Sequence, residues 1–387
     1  MKDNHKFFYI LKKKYSVFLN EKNDKQRLIT KSFLQFYLQT RSRKLISIII
    51  TEIICFSLLP FFLIYLILIS KKSRININRN DVQLTKFNSE NFILPKTEQN
   101  VQKIILCERN ITLKDLKLIY DILSFSFKIK LFWNFQFIFK IINEISLHNN
   151  YINHPNIRRV FVYYEFDCSI SILKYLFNQR KKKLINVQHG EQIISAHYCF
   201  VEIDEFYVWK KFYKDIFQNK MFCISKFKIF KKYKKRKKKE VVNKNIGVLE
   251  PQKAHFEKPK TFNKFINEFI KTITELNRFY DVTFRTHPRY YDQKIISKIK
   301  NANIKIQFST KTKVNEFLKK NCIIIGTPSA LLNDAYYNGN KIFIIDCDYS
   351  KMLSKYHYFY KSKRIIKIQN FTKILENLYK KKFKQFQ

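Results

Sequence analysis

Glycine is almost missing from this chain, with four residues in 387. Few sites can therefore take positive φ or bring backbone close to a ligand. A Walker-type phosphate loop is excluded, because no Lys-Ser/Thr pair follows a second glycine. Acidic residues are also scarce, 30 against 75 lysines and arginines, for a net charge of +45. The seven cysteines (Cys55, Cys107, Cys168, Cys199, Cys223, Cys322, Cys347) are odd in number and form no C-x-x-C pair. Neither a zinc site nor a disulfide framework is signalled, and a reducing, cytosolic setting is the plain reading. Zinc-finger spacing, an RNP-like strand and a helix-turn-helix are absent too. The positive charge thus points to an anionic membrane surface and anionic substrates, and no nucleic-acid partner is expected.

What is present argues for a folded protein. Apolar residues make up 46% and aromatics 17%, too much for global disorder. The length suits two domains, or one large domain with attachments. Lys, Ile, Asn and Phe dominate, the bias of an AT-rich genome, so part of the lysine content carries no functional message.

Residues 45–70, "LISIIITEIICFSLLPFFLIYLILIS", are long and apolar enough to cross a bilayer, and Glu52 is their only charge. They begin too late for an ordinary cleaved signal peptide. Basic flanks, "RSRK" and "KKSR", stand on both sides, so loop charge sets no direction. Pro60 would break a helical hydrogen bond near the middle. A re-entrant hairpin bent at Pro60 is the favoured reading, and a single tilted span the other. Residues 1–44 form a basic amphipathic region, either surface-seeking or packed as a cap on the main body.

From residue 102 short β-rich runs alternate with helical patterns, the signature of parallel α/β architecture. Strands are expected at 103–108, 158–165, 183–188 and 205–209, giving a first Rossmann-like domain over 71–227. The lysine-rich stretch 228–240 reads as a solvated linker. A second Rossmann-like domain follows over 241–387. It holds strands in "NKNIGVLE", "FYDVTFRTHP" and "IKIQF", helices over 258–278 and 371–385, and the unit "CIIIGTPSALLNDAYYNGNKIFIID". That unit reads strand, glycine turn at Gly326, helix from about Ser329, second glycine turn, strand.

In open α/β sheets ligands bind at the carboxyl ends of strands. The turn at Gly190, in "INVQHGEQ", the "FRTHPRY" loop and "GTPSA" all fall at such ends, which suggests a cleft between two domains. The start of the helix after "GTPSA" can hold an anion, with Thr327 or Ser329 capping it or donating to phosphate. Arg285, His287 and Arg289 group beside Pro288 and supply charge. "NHPN", with His154 and Pro155, is a second His-Pro pair, placed before a strand and read as plain loop.

The order of "QHG", "RTHPR" and "GTPSALLNDA" resembles bacterial sugar transferases of the GT-B fold that build surface polysaccharides. The nearest branches are the sialyl- and polysialyltransferases and the CDP-glycerol glycerophosphotransferases. The resemblance spans about residues 100–350. It implies two Rossmann-like domains facing a cleft and a nucleotide-activated sugar or polyol-phosphate donor. The implied acceptor is a glycan or lipid-linked chain at the cytoplasmic face of the bacterial inner membrane. His287 and Ser329 take the donor-phosphate roles, helped by Arg285 and Thr327. Two departures matter: Ala330 follows Ser329 where many relatives carry a second hydroxyl, and the acidic-acidic-glycine signature is absent.

Transfer also needs a base for the acceptor hydroxyl. Glu191, or His189 oriented by it, is the first choice; Glu165 and Asp167 in "YYEFD" are held in reserve, and His197 lies further off. No cofactor and no metal are expected, although "DCD" (Asp346, Asp348) is the kind of D-x-D that binds metal-nucleotide in other transferases. Two other readings stand beside this one: a GT-B-like sugar-nucleotide epimerase, and a non-catalytic basic protein binding membrane or nucleic acid.

Overall fold

The computed structural model describes residues 4–40, 45–70, 76–86, 94–95, 98, 100–128, 134–164, 167–188, 198–230, 245–253, 256, 259–287, 291–348, 350–351, 365–367 and 370. Contacts divide the chain into two compact units, Met1–Lys232 and Tyr233–Gln387. All seven cysteines are free thiols.

Unit 1 opens with helices α1 (Asn4–Lys14), α2 (Ser16–Leu19), α3 (Asp24–Thr40) and α4 (Leu45–Leu68). The rest alternates strand and helix: β1 (Asp81–Thr85), β2 (Gln102–Ile105), α5 (Leu113–Lys128), α6 (Phe135–Ile152), β3 (Arg159–Val162), α7 (Ile170–Gln179), β4 (Lys183–Val187), β5 (Glu202–Val208), α8 (Lys211–Asp215) and β6 (Ile224–Ile229). The strands form one parallel sheet in the order β2-β1-β3-β4-β5-β6. Both of its faces are buried: Val160, Val162 and Leu184 pack into the main core, while Phe161, Ile185 and Val187 pack on the opposite side. Such two-sided burial explains why these strands read as nearly unbroken apolar runs.

Three features of unit 1 differ from the sequence expectations. The sheet begins earlier than residue 102, with "DVQLT" as β1, whose polar Gln83 and Thr85 are buried. Its last strand runs to Ile229, so Lys228 belongs to the domain and pairs with Glu205 at 2.6 Å. α4 runs unbroken through Pro60. The expected hairpin is therefore corrected: one missing hydrogen bond does not reverse a 24-residue helix, and prolines within long apolar helices are tolerated.

The stretch 1–44 contains a helix packed into the domain. α3 buries Leu28, Phe33, Leu34 and Leu38 and lies against α7. Glu202, at the start of β5, binds Arg27 and Lys31 of α3 and Lys174 of α7. This buried knot ties three distant segments together.

Unit 2 contains β7 (Asn245–Leu249), α9 (Pro259–Asn277), β8 (Asp281–Arg285), α10 (Gln293–Asn301), β9 (Lys305–Gln307), α11 (Val314–Lys320), β10 (Ile323–Gly326), α12 (Ala330–Tyr337), β11 (Lys341–Ile345) and β12 (Ile365–Ile366). Its sheet is also parallel, in the order β12-β11-β10-β7-β8-β9. Ile246, Val248, Val282, Phe284, Ile323 and Ile325 form the core with Phe269 of α9. The helix expected over 371–385 lies outside the described residues.

Strand order reverses once in each sheet, between β1 and β3 in unit 1 and between β7 and β10 in unit 2. The crevices that take ligands in open α/β sheets form at such reversals, beyond the carboxyl ends of the strands.

Candidate functional site

In unit 2 three loops meet the carboxyl end of the sheet near the reversal. They follow β7 at Glu250, β8 at Thr286 and His287, and β10 at Thr327. Glu250 is the organising residue. Its carboxylate accepts the His287 backbone N–H through Oε2 and the Asp292 N–H through Oε1, both at 2.7 Å. One side chain thereby grips both ends of the His-Pro loop. Burial raises the Glu250 carboxyl, and those two amide donors pull it back toward the charged form. Nothing local in the sequence marks Glu250, because its partners lie 37 and 42 residues away.

Ser329 stands where the sequence placed it. It is the N-cap of α12, its Oγ accepting from Leu332 N at 3.2 Å. The cap uses an acceptor lone pair and leaves the hydroxyl proton able to donate. Thr327 is buried, 2% exposed, whereas Ser329 is half-buried at the mouth of the helix.

Two expected roles change. Gly326 is not the turn; it is the last residue of β10, paired with Ile344, and the bend falls on Thr327 and Pro328. A Cβ on Gly326 would stand 2.9 Å from the Leu249 Cβ, so its glycine serves close approach of β10 to β7. The positive φ in this region belongs to Gly339, at 90°, where α12 ends. Arg285 is also turned inward. It is 3% exposed, donates from Nη2 to the Thr312 carbonyl at 2.8 Å and rests 5.3 Å from the Phe317 ring. Burial pushes its guanidinium down, opposed by Glu316. In this position Arg285 braces the 308–313 loop beneath the site instead of presenting its fork at the surface. Its Nη1 has no hydrogen-bond partner among the described residues.

Arg289 lies outside the described residues. "DCD" follows β11 and leads into a helical segment, where Cys347 N donates to Ser350 Oγ at 2.8 Å. Asp346 lies 3.6 Å from Lys351. Among the described residues, no group of three or more His, Cys, Asp or Glu side chains could hold a metal ion.

In unit 1, β4 delivers Asn186 and Gln188 to the carboxyl end of the sheet. Asn186 Oδ1 accepts from Tyr164 N at 2.8 Å, and Gln188 Oε1 accepts from Trp209 N at 3.0 Å. The next residues, His189, Gly190, Glu191 and His197, lie outside the described residues, as does Glu165. Asp167 is described, and its setting is that of an ion-pair partner. Its carboxylate takes Lys86 Nζ at 2.9 Å and Ser169 Oγ at 2.9 Å, with Lys140 at 3.7 Å. Burial alone would raise its carboxyl, but the two ammonium groups and these hydrogen bonds hold it well below the usual range. A carboxylate kept so acidic is poorly matched to proton abstraction near neutral pH.

The same cluster holds residues the sequence did not single out. Lys86, just after β1, also binds Glu144 of α6 at 2.7 Å. His148 is fully buried, its Nδ1 within 2.8 Å of the Glu144 carbonyl. Burial, then the nearby Lys86 charge, takes its pKa down to about 4, so the imidazole is neutral. Reading β1 as a strand would have placed Lys86 at a reversal point. The other His-Pro pair, His154 and Pro155, sits at the opposite end of the sheet, before β3.

No protein-family model matches this sequence. No curated protein matches it either. Among solved structures, similar folds include the pneumococcal O-GlcNAc transferase GtfA in complex with UDP and GlcNAc, at 11% identity and TM-score 0.37, covering 52% of this chain and 45% of that one. TarM matches at 10% identity and TM-score 0.40, over 61% and 51%. A putative UDP-N-acetylglucosamine 2-epimerase from Listeria monocytogenes matches at 10% identity and TM-score 0.40, over 71% and 82%. The chain spans about half the length of GtfA and TarM.

Proposed function

We propose that this chain is a membrane-associated transferase that moves a sugar or polyol phosphate from a nucleotide-activated donor to a lipid-linked or polysaccharide acceptor. Its place in this reading is the cytoplasmic face of a bacterial inner membrane. One observation carries it most: at the strand-order reversal of unit 2, a Glu250-gripped His287 loop lies at the same sheet end as the Ser329-capped start of α12. Helix N-termini with a hydroxyl and a nearby cationic or hydrogen-bonding side chain suit phosphate oxygens. In this reading His287, Arg289, Ser329 and the first N–H groups of α12 hold the donor diphosphate and stabilise the charge that develops on the leaving phosphate. Cationic and backbone donors take the work a metal would do. Glu191, or His189 oriented by it, removes the acceptor proton, since Asp167 is committed to Lys86.

The test is a donor screen on the purified full chain in detergent with labelled nucleotide sugars and CDP-linked polyols, run with and without lipid acceptors. His287→Ala should cut donor use about tenfold or more, equivalent to about 1.4 kcal/mol of transition-state stabilisation. Unchanged turnover would remove the phosphate assignment, and interconversion of free sugar nucleotide would make the chain an epimerase. Glu191→Gln should abolish transfer while calorimetry still registers donor binding; surviving activity would move the base elsewhere.

A further inference from the structure

α4 is docked along the domain instead of standing free of it. Glu52 Oε2 accepts from Gln136 N, in the first turn of α6, at 3.1 Å. Phe56 lies 4.8 Å from Phe135, and Phe62 stacks on Phe139 at 3.9 Å. Just beyond the helix, Ser70 Oγ bonds Asn110, which bonds Asn150 near the far end of α6. α4 therefore runs beside α6 in the same direction, burying a stripe of Glu52, Leu59 and Leu66 at seven-residue spacing. The opposite face is apolar and bare: Ile46 is 72% exposed, Phe61 70% and Leu68 79%.

A spanning orientation conflicts with this packing. Either α6 and its buried Glu144 and His148 would follow α4 into hydrocarbon, or α4 would let go of the domain. In the second case Glu52, about 10 Å along the helix, would face lipid without its amide partner, an unfavourable position for a carboxylate.

The segments that border α4 in the sequence are cationic. "RSRK" and "KKSR" flank the helix. Ile152 and Asn153, beside Asn150, line a groove of about 750 Å³ at the amino ends of the strands, the end opposite the one where ligands bind in such sheets. Arg158, Arg180, Lys181 and Lys183 reach this groove, and among the described residues none of the four is ion-paired. A second copy of a +45 chain would be repelled by this surface; an anionic leaflet complements it.

We propose that unit 1 rests on an anionic bilayer leaflet with α4 in the plane of the interface, its bare face among the upper acyl chains and the groove at its C-terminal end on lipid phosphates. This deepens the membrane-associated reading above by fixing how the membrane is engaged: both ends of α4 stay on one side. An in-plane apolar face of this kind reaches about 5–10 Å into the headgroup–acyl boundary.

The test uses the full chain with Cys55, Cys107 and Cys322 changed to serine and one cysteine placed at Ile46, Ile54, Phe61 or Leu68. Each is labelled with an environment-sensitive fluorophore and bound to phosphatidylglycerol/phosphatidylcholine vesicles brominated at a shallow or a deep acyl position. All four sites should be quenched by the shallow bromines to the same degree. Deep quenching at Ile54 and Phe61 with shallow quenching at both ends would establish a span and overturn the proposal. So would shielding of the labels without lipid, which would mean that a second copy covers the face. Reversing Arg158 and Arg180 to glutamate should weaken binding to the anionic vesicles about tenfold or more. The control pair Lys211→Glu and Lys214→Glu, in α8 after the carboxyl end of β5 in the same unit, should leave it unchanged. Equal loss from both pairs, or from neither, removes the groove from the membrane surface. Donor turnover in detergent is measured separately, so this proposal can fail while the transferase reading stands.

Discussion

At the scale of single residues, the site of unit 2 depends on a carboxylate that touches no ligand in the proposed mechanism. Glu250 gathers two backbone N–H groups on either side of the His-Pro loop. Replacing it with alanine leaves both amides without an acceptor, and a buried unpaired donor costs about 1–3 kcal/mol. Glu250→Ala should therefore lower stability in urea by about 2 kcal/mol or more and weaken donor binding in calorimetry. Glu250→Gln keeps one acceptor oxygen and turns a donor toward the other amide, so it should recover only part of both. An unshifted denaturation midpoint in the alanine variant would show that the loop holds itself. Arg285 illustrates the opposite case, a cation that looks like a ligand group in sequence. Its burial over Phe317 makes it a brace.

At the scale of elements, glycine placement decides how closely strands meet at the reversal point. Gly247 lies on β7, where an added Cβ would meet the Phe317 Cζ at 2.5 Å, and Gly326 ends β10 against Leu249. Gly247 lets α11 close on the sheet, and Gly326 lets β10 meet β7 at its ligand end. Gly326→Val should destabilise unit 2 by about 1–3 kcal/mol through overpacking. It should also disturb Ser329 three residues on, read as slower donor turnover; a variant with the melting temperature and turnover of the parent would refute this account. α12 shows local and tertiary signals in agreement, with Ser329 opening it and Gly339 closing it.

At the scale of the molecule, unit 1 is held together by charge as well as by its core. Glu202 joins residues from the first 31 positions to α7 and β5. Burial would raise its carboxyl, yet hydrogen bonds and charge from Arg27, Lys31 and Lys174 bring the pKa down to about 2. The folded value lies below the unfolded one, so the stabilisation is full above about pH 4.5 and drains away as pH falls toward 2. A shift of this size corresponds to roughly 3 kcal/mol. The wild type should lose stability across that window in acid titrations followed by circular dichroism. Glu202→Gln should be less stable at neutral pH and show a shallower acid dependence. Parallel curves for the two proteins would mean that the knot contributes nothing.

The sequence by itself determined the alternation of strands and helices, most strand positions, the start and stop of α12 and the continuous apolar run of α4. These follow from signals that are local: a run of β-branched residues, a serine cap, a glycine after the last helical turn. Composition likewise determined the cationic character of the surface. Only the tertiary structure decided the rest, because its determinants are far apart in the chain. Lys86 meets Asp167 across 81 positions, which turns a candidate base into an ion-pair partner. "DVQLT" became a strand because β2 and β3 pair with it on either side. α3 joined the domain through Glu202, 171 positions beyond Lys31. Pro60 left α4 straight enough to dock on α6, since a proline removes one hydrogen bond and packing supplies many contacts. The membrane question changed accordingly. Hydropathy can say that a helix is apolar enough to enter a bilayer, but which side of it remains bare depends on what the rest of the chain has already covered.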